Sequence, residues 1–329
     1  MTDRKHSLTR RDFLRGGTGL TLATAAGLSA LSSSSEGAST RSRSKVVLVR
    51  DRNALNEDGT PNAAVLPRML DDAVTALMSD AATAPSGNGD PAAAWKKLIR
   101  PDDVVGIKTN VWRFLRTPLP LEAAIERRLI DAGVARDRIG IDDRGVRRNP
   151  LFRRATALVN IRPMRTHHWS GVGSLIKNYI MFHPEPPRWH EDSCANLAGL
   201  WDMPEIRGKT RLNILVMLTP LFHSKGPHNF QASYTWPYRG LLVGVDPVAV
   251  DATGLRILEA KRREFFGKDM PFPIPPKHIR VAQDRFGLGI ADPARIDLEV
   301  IGWKDGLLIQ PRARIGMGSR QGAVNTCVK

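Results

Sequence analysis

The sequence predicts an α/β fold: a mostly parallel sheet with helices on both faces, built as a single large domain. Three observations predict it. Short runs of β-branched and aliphatic residues recur along the chain, and stretches with helical apolar spacing separate them. Those separating stretches are about ten residues or longer, the length a crossover between parallel strands needs. Polar residues gather just after the predicted strands, where open α/β sheets hold ligands.

The elements follow in order. Lys45 to Arg50 reads as a strand and Asn56 to Gly59 as a turn. Residues 62–79 place Val65, Leu66, Met69, Leu70, Ala73, Val74 and Leu77 at helical spacing. Ala81 to Asp90 is a small, polar loop, and Ala92 to Leu98 a short helix. Val104 to Lys108 is a second strand, Leu121 to Asp131 a helix stopped by Gly133, and Ile139 to Asp142 a third strand. Thr156 to Ile161 is a strand and Gly173 to Phe182 helical. Leu212 to Leu218 and Leu241 to Val245 are strands. Pro247 to Lys261 is a helix with Asp246 as its N-cap and Pro247 at its first position. Lys277 to Arg285 is helical and Ile296 to Ile301 is the last strand. Strand and helix alternate in Rossmann-like layers.

Composition narrows the function. The chain has 329 residues, of which 42% are apolar and 25% charged, ordinary for a globular protein. Lys and Arg number 49 against 33 Asp and Glu, a net charge of +16. The two cysteines, Cys194 and Cys327, are too few for a cysteine-ligated iron–sulfur cluster. No apolar run reaches the roughly 18 residues of a spanning helix.

The first residues carry Ser7-Leu-Thr-Arg10-Arg11-Asp-Phe13-Leu14-Arg15, then a weakly apolar stretch to Leu31 and a Ser-rich stretch to Ser44. This resembles a twin-arginine export signal; a basic helix lying on a membrane surface is the rival reading. The expected organisation is a signal peptide over 1–31, a linker over 32–44, an α/β domain over 45–302 and a basic tail over 303–329. The resemblance implies passage through the twin-arginine translocase to a periplasmic or extracytoplasmic location. It also raises the expectation of a cofactor, since that route carries folded proteins. No cysteine follows the apolar stretch, so no stable membrane anchor is expected.

Four segments carry a second resemblance. They are Val104 to Asn110; Leu158 to Pro163 leading into Thr166-His167-His168 and Gly171 to Asn178; Gly240 to Asp251; and Gly287 to Gly289 followed by Asp297 to Gly302. In order and spacing they resemble an uncharacterised family, domain of unknown function 362. Some of its members carry a ferredoxin-like cysteine motif, which this chain lacks, so no iron–sulfur cluster is expected. His167, Gly171, Gly173 and Lys177 also resemble a short stretch of the nickel-pincer lactate racemases. There the lysine holds a cofactor covalently and a histidine moves a proton.

The candidate residues follow from chemistry and place. His167, His168 and Lys177 are candidate catalytic groups, because imidazole relays protons near neutral pH and a buried lysine can act as nucleophile or base. Adjacent residues on a strand point opposite ways, so only one of His167 and His168 is expected to face the site. Lys108, Asn110, Arg162, Arg165, Gly171, Gly173 and Asn178 are candidates for holding a cofactor or anionic substrate. Asp142, Asp251, His223 and His228 are candidate metal ligands, although no histidine pair stands three or four residues apart. Arg144 to Arg165 holds seven arginines and no acidic residue. With few aromatics interleaved, that run suits a small anion better than nucleic acid. The expected function is an exported enzyme, dependent on a metal ion or a covalently held organic cofactor, acting on a small anionic substrate by racemase-, isomerase- or oxidoreductase-like chemistry. A non-catalytic binding or assembly protein for an anionic ligand is the alternative.

Overall fold

A computed structural model describes residues 43–79, 89–226 and 228–311. The expected signal peptide, most of the linker and loop 81–90, and the tail beyond 311 lie outside the described residues. Eight strands form one sheet: β1 (Ser44–Arg50), β2 (Val105–Lys108), β3 (Ile139–Asp142), β4 (Ala157–His167), β5 (Gly171–Gly173), β6 (Thr210–Leu221), β7 (Gly240–Gly244) and β8 (Ile296–Gly302). Their order across the sheet is β3-β2-β4-β6-β7-β1-β8, with β5 paired to β4. The pairs β1–β8, β2–β3, β2–β4 and β4–β6 are parallel. Strand β7 runs antiparallel between β6 and β1, and β5 turns back antiparallel on β4. The mostly parallel α/β sheet read from the sequence is the one observed.

Helices cover both faces. On one lie α1 (Leu66–Met78), α2 (Pro91–Lys96) and α3 (Leu119–Asp131), packed on Val47, Val49, Ile107, Val159 and Ile214. On the other lie α4 (Pro150–Arg153), α5 (Leu175–Asn178), α7 (Pro247–Phe266) and α8 (Lys277–Asp284), packed on Val46, Leu48, Leu158, Leu215 and Leu242. The short turn α6 (Glu191–Cys194) joins this second layer. Strand residues alternate between the two cores because side chains alternate across a sheet. Near-continuous apolar runs such as Leu212 to Leu218 therefore mark strands buried on both sides. Among the described residues, no helix is long and apolar enough to cross a membrane.

Several boundaries differ from the sequence reading, and four of them have a local reason. Helix α1 begins at Leu66, because Asn62 turns the chain first: its carbonyl accepts from Val65 and Leu66, and its side chain from Ala64. Helix α7 runs on to Phe266, where Gly267 closes it at φ +67°. Its last turns are charged, yet Arg262 is buried there, donating to the carbonyls of Phe222, Met270 and Pro271. The stretch 173–182, expected to be one helix, is divided. Gly171–Gly173 is strand β5, only Leu175–Asn178 is α-helical, and Tyr179–Phe182 is a 3₁₀ turn. Strand β4 continues six residues beyond Ile161 and takes Gly171–Gly173 as its partner.

Asp246 caps α7 as expected, accepting from the N–H groups of Val248 and Ala249 at 2.8 and 3.0 Å. Its other oxygen accepts from Ser44 Oγ at 2.6 Å and Ile290 N at 2.8 Å. One carboxylate thus ties the start of β1, the start of α7 and the approach to β8. Replacing Asp246 by Ala strands four donors, and a loss of about 2–4 kcal/mol is expected in urea denaturation. A loss within about 0.5 kcal/mol would show that the junction is not held by this side chain.

Candidate functional site

Strand β4 lies in the middle of the sheet, but its neighbour β2 is short. Their pairing ends at Lys108 opposite Asn160, while β4 continues to His167. On its other edge β4 stays paired with β6 as far as Arg165. The vacated edge, beyond the carboxyl end of β2, is where the candidate residues converge. Pro163 is tolerated in this central strand because the β2 ladder has already ended there. A register irregularity between Pro163 and Arg165 resets the alternation. Arg162 and Arg165, an odd number of residues apart, therefore reach the same side. A Cβ built on Gly173 would lie 2.5 Å from Arg162 Nη2 and 3.6 Å from Arg165 Cγ.

These residues line a cavity of about 560 Å³. Of the residues singled out from the sequence, Asn110, Arg162, Arg165, His167, His168, Lys177, Asn178 and His228 all reach its wall. His167 and His168 both face it, against the expectation of one. The strand ends at His167, so strict alternation no longer binds His168, and the two rings stack at 4.8 Å with 16° between their planes. Trp169 packs on His168 at 4.1 Å and on His190 at 4.0 Å, and His228 meets His168 at 4.3 Å.

Asn178 is the hub behind the wall. Its Nδ2 donates to the carbonyls of Lys108 (3.1 Å) and Ile161 (3.2 Å) and to Asn160 Oδ1 (2.9 Å). Lys108 is wholly buried, and its Nζ donates to Asp143 Oδ1 at 2.5 Å and to its neighbour's carbonyl at 2.8 Å. Burial favours the uncharged forms of both groups. The Lys108 ammonium nevertheless holds the Asp143 carboxyl below its ordinary range, while burial keeps Lys108 itself lowered. Lys108 thus sits behind the cavity in a closed ion pair. Asp143, beside the proposed Asp142, faces the cavity instead.

The remaining cations have no such partner. Arg162, Arg165 and Lys177 are each 3–4% exposed, and no carboxylate lies within ion-pair distance of them among the described residues. Arg162 donates to the Ser174 carbonyl at 3.3 Å, and Arg165 to Asn110 Oδ1 at 3.0 Å while lying over the Trp112 ring. The Nε of each arginine is buried without a partner. Lys177 Nζ has the Cys194 thiol at 3.7 Å. Burial lowers Arg162 to about 10 and Arg165 well below its usual value, with Arg162 adding repulsion on Arg165. Burial lowers Lys177 to about 8, against an opposing pull from Cys194. Burial also lowers His167 and His168, and takes His190 to about 4. His167 Nδ1 accepts from the Trp169 N–H at 3.2 Å, so its proton sits on Nε2.

Other candidates have structural posts outside the cavity. Gly171 holds φ +71°, and a Cβ there would meet the Ile274 carbonyl at 2.3 Å. Gly171 and Gly173 thus permit close packing and do not themselves face the cavity. Asp142 turns the chain, accepting from Gly145 N and Asn149 Nδ2. His223 lies against Arg262, Tyr234 and Phe266. Asp251, fully buried, accepts from Ser174 Oγ, Leu175 N and Ile176 N at 2.7–2.9 Å and so anchors the α5 turn that carries Lys177. Burial raises its carboxyl to about 6. Among the described residues, no group of three or more His, Cys, Asp or Glu is placed to hold a metal ion. The cavity's imidazoles, His167, His168, His190 and His228, do not form such a group, its single carboxylate is committed to Lys108, and four cationic side chains face the same space. Those cations fit an anion. Asp143, His190 and Arg144, the first of the arginine run read as suited to a small anion, line the cavity as well; Trp112 on its wall and Cys194 beside Lys177 are the residues the sequence did not point to.

Comparison with family models, curated proteins and solved structures finds no match to this chain.

Because Asp251 satisfies three buried donors at once, Asp251→Ala is expected to cost at least about 3 kcal/mol. Asp251→Asn, which keeps one acceptor oxygen, loses less. Urea denaturation of both variants measures the difference, and equal losses would remove the anchoring role.

Proposed function

We propose that this chain is an exported enzyme that binds a small anionic substrate in the cavity beside β4, using Arg162, Arg165 and Lys177 to hold it. One observation carries the reading: three buried cations share a cavity whose single carboxylate among the described residues, Asp143, is already paired with Lys108. An uncompensated buried charge is costly, and a protein retains a group of them where a counter-charge arrives from outside. The two unpartnered arginine Nε atoms give that counter-charge directed donors.

The export part rests on the twin-arginine segment, Arg10-Arg11, and the kinship with the uncharacterised family on four motif segments. Two of those segments supply Asn110, Arg162, His167, His168, Lys177 and Asn178 to the cavity. The enzymatic part rests on Lys177 and the histidines. A lysine amine lowered to about 8 exchanges a proton near neutral pH, and neutral imidazoles stand on the same wall. A covalently held organic cofactor bearing anionic groups would be served by the same cations.

Titration calorimetry with inorganic phosphate and with small carboxylates tests the reading. Binding is expected, with Arg165→Met weakening it by about tenfold or more, equivalent to about 1.4 kcal/mol. The pH dependence has a definite sign. Lys177 attracts an anion only when protonated, so affinity falls as pH rises through about 8, and binding near that pH takes up protons. Absence of binding, or affinity indifferent to Arg165, would overturn the proposal. Binding without turnover of any carbonyl or phosphate substrate would favour the non-catalytic alternative.

A further inference from the structure

We infer that Lys177 is an amine nucleophile that forms an imine with a carbonyl-bearing carboxylate, a 2-oxo acid, held by Arg162 and Arg165. The inference rests on the reading of this cavity as an anion site. The comparison with Lys108 carries it. Both lysines are buried within one small region, and Asn178 follows one in sequence and bonds the backbone of the other. Lys108 is closed off by Asp143 and a carbonyl. Lys177 faces the cavity, and among the described residues no carboxylate or carbonyl oxygen bonds its Nζ, only a thiol at 3.7 Å.

The surroundings suit that chemistry. Burial and the nearby arginines disfavour the ammonium form, so a large share of Lys177 is free amine at pH about 8. The same arginines offer unpartnered Nε donors to a carboxylate. A 2-oxo acid joins the two features, because its electrophilic carbon is bonded directly to its carboxylate. The nitrogen lone pair forms the C–N bond while the carbonyl π pair moves to oxygen. His167 Nε2–H, the donor left by the Nδ1 contact with Trp169, can stabilise that oxygen. The two amine protons then leave with the oxygen as water and the C=N bond forms, with no net oxidation. His168, whose ring nitrogens are both buried without partners, lines the same cavity and can relay those protons.

Trapping tests the inference. The full chain is incubated with pyruvate and cyanoborohydride at pH about 8, and the reduced adduct is located by peptide mass spectrometry. Lys177 is expected to be labelled about tenfold or more over any exposed lysine, because more of it is free amine at that pH. Inorganic phosphate and Arg165→Met should each suppress the label, while Cys194→Ala should keep it. Acetone, which lacks a carboxylate, should not label the site. Labelling spread evenly over the lysines, equal labelling by acetone, or a Lys177 already carrying another group on purification would overturn the inference. Thermal stabilisation by phosphate, measured in parallel, separates the two levels. Stabilisation with no Lys177 adduct removes imine formation and leaves the anion site; neither result removes the reading beneath it as well.

Discussion

The site depends on a mismatch of strand lengths. Strand β4 outlasts β2 by seven residues, from Asn160 to His167, while its other edge stays locked to β6 almost throughout. A backbone edge in the middle of a sheet cannot be left bare, because buried N–H and C=O groups without partners are costly. The chain closes it in two ways. Strand β5 returns along the far end, and the Asn178 side chain reaches the Ile161 carbonyl nearer β2. The returning segment is therefore short and tightly turned, and it carries Lys177 with it. Asp251, from α7 on the same face, fixes that turn through three bonds. The cavity is what remains between the end of β2 and the return of β5.

Much of this was legible in the sequence. Apolar runs such as Leu212 to Leu218 marked strands, and Asp246-Pro247 marked a helix start. The rule that ligands gather beyond the carboxyl ends of strands picks out Lys108 to Asn110, Asp142 and Asp143, Arg162 to His168, Thr219 to His228 and Asp246; of these, Asn110, Asp143, Arg162, Arg165, His167, His168 and His228 line the cavity. What escaped the sequence depended on pairing. The extension of β4 is hidden because Arg162, Pro163 and Arg165 look like a strand ending in a polar loop, and only the β6 ladder keeps them extended. Asp142 and Asp143 are equivalent to a reader of letters. One turns the chain and the other meets Lys108, according to which side of the strand end each occupies. Asp251 is a poor fit to a helix interior, which was a sound reason to suspect a partner. The partner is a turn 75–77 residues away in sequence, and no spacing rule reaches that far.

The charge of the chain divides along the same lines. Buried cations on a fold are usually answered in place, as Lys108 is by Asp143. Most of the surface cations need no answer, because water and salt screen them. Arg162, Arg165 and Lys177 belong to neither group. Each is as buried as a core leucine, and the carboxylates that act on Arg162 are already committed, Asp143 to Lys108 and Val111, Asp251 to the α5 turn. The direction of the shifts shows it: burial lowers all three cations, Arg162 adds repulsion on Arg165 and both arginines add it on Lys177, while Asp143 and Asp251 offset only part of the burial of Arg162. Relief can come by losing a proton or by gaining an anion. Arginine hardly gives up its proton, so for Arg162 and Arg165 only an anion suffices. For Lys177 both routes are open, and that difference sets the lysine apart from the two arginines that surround it. A group poised between those routes changes state when a carboxylate settles on its neighbours.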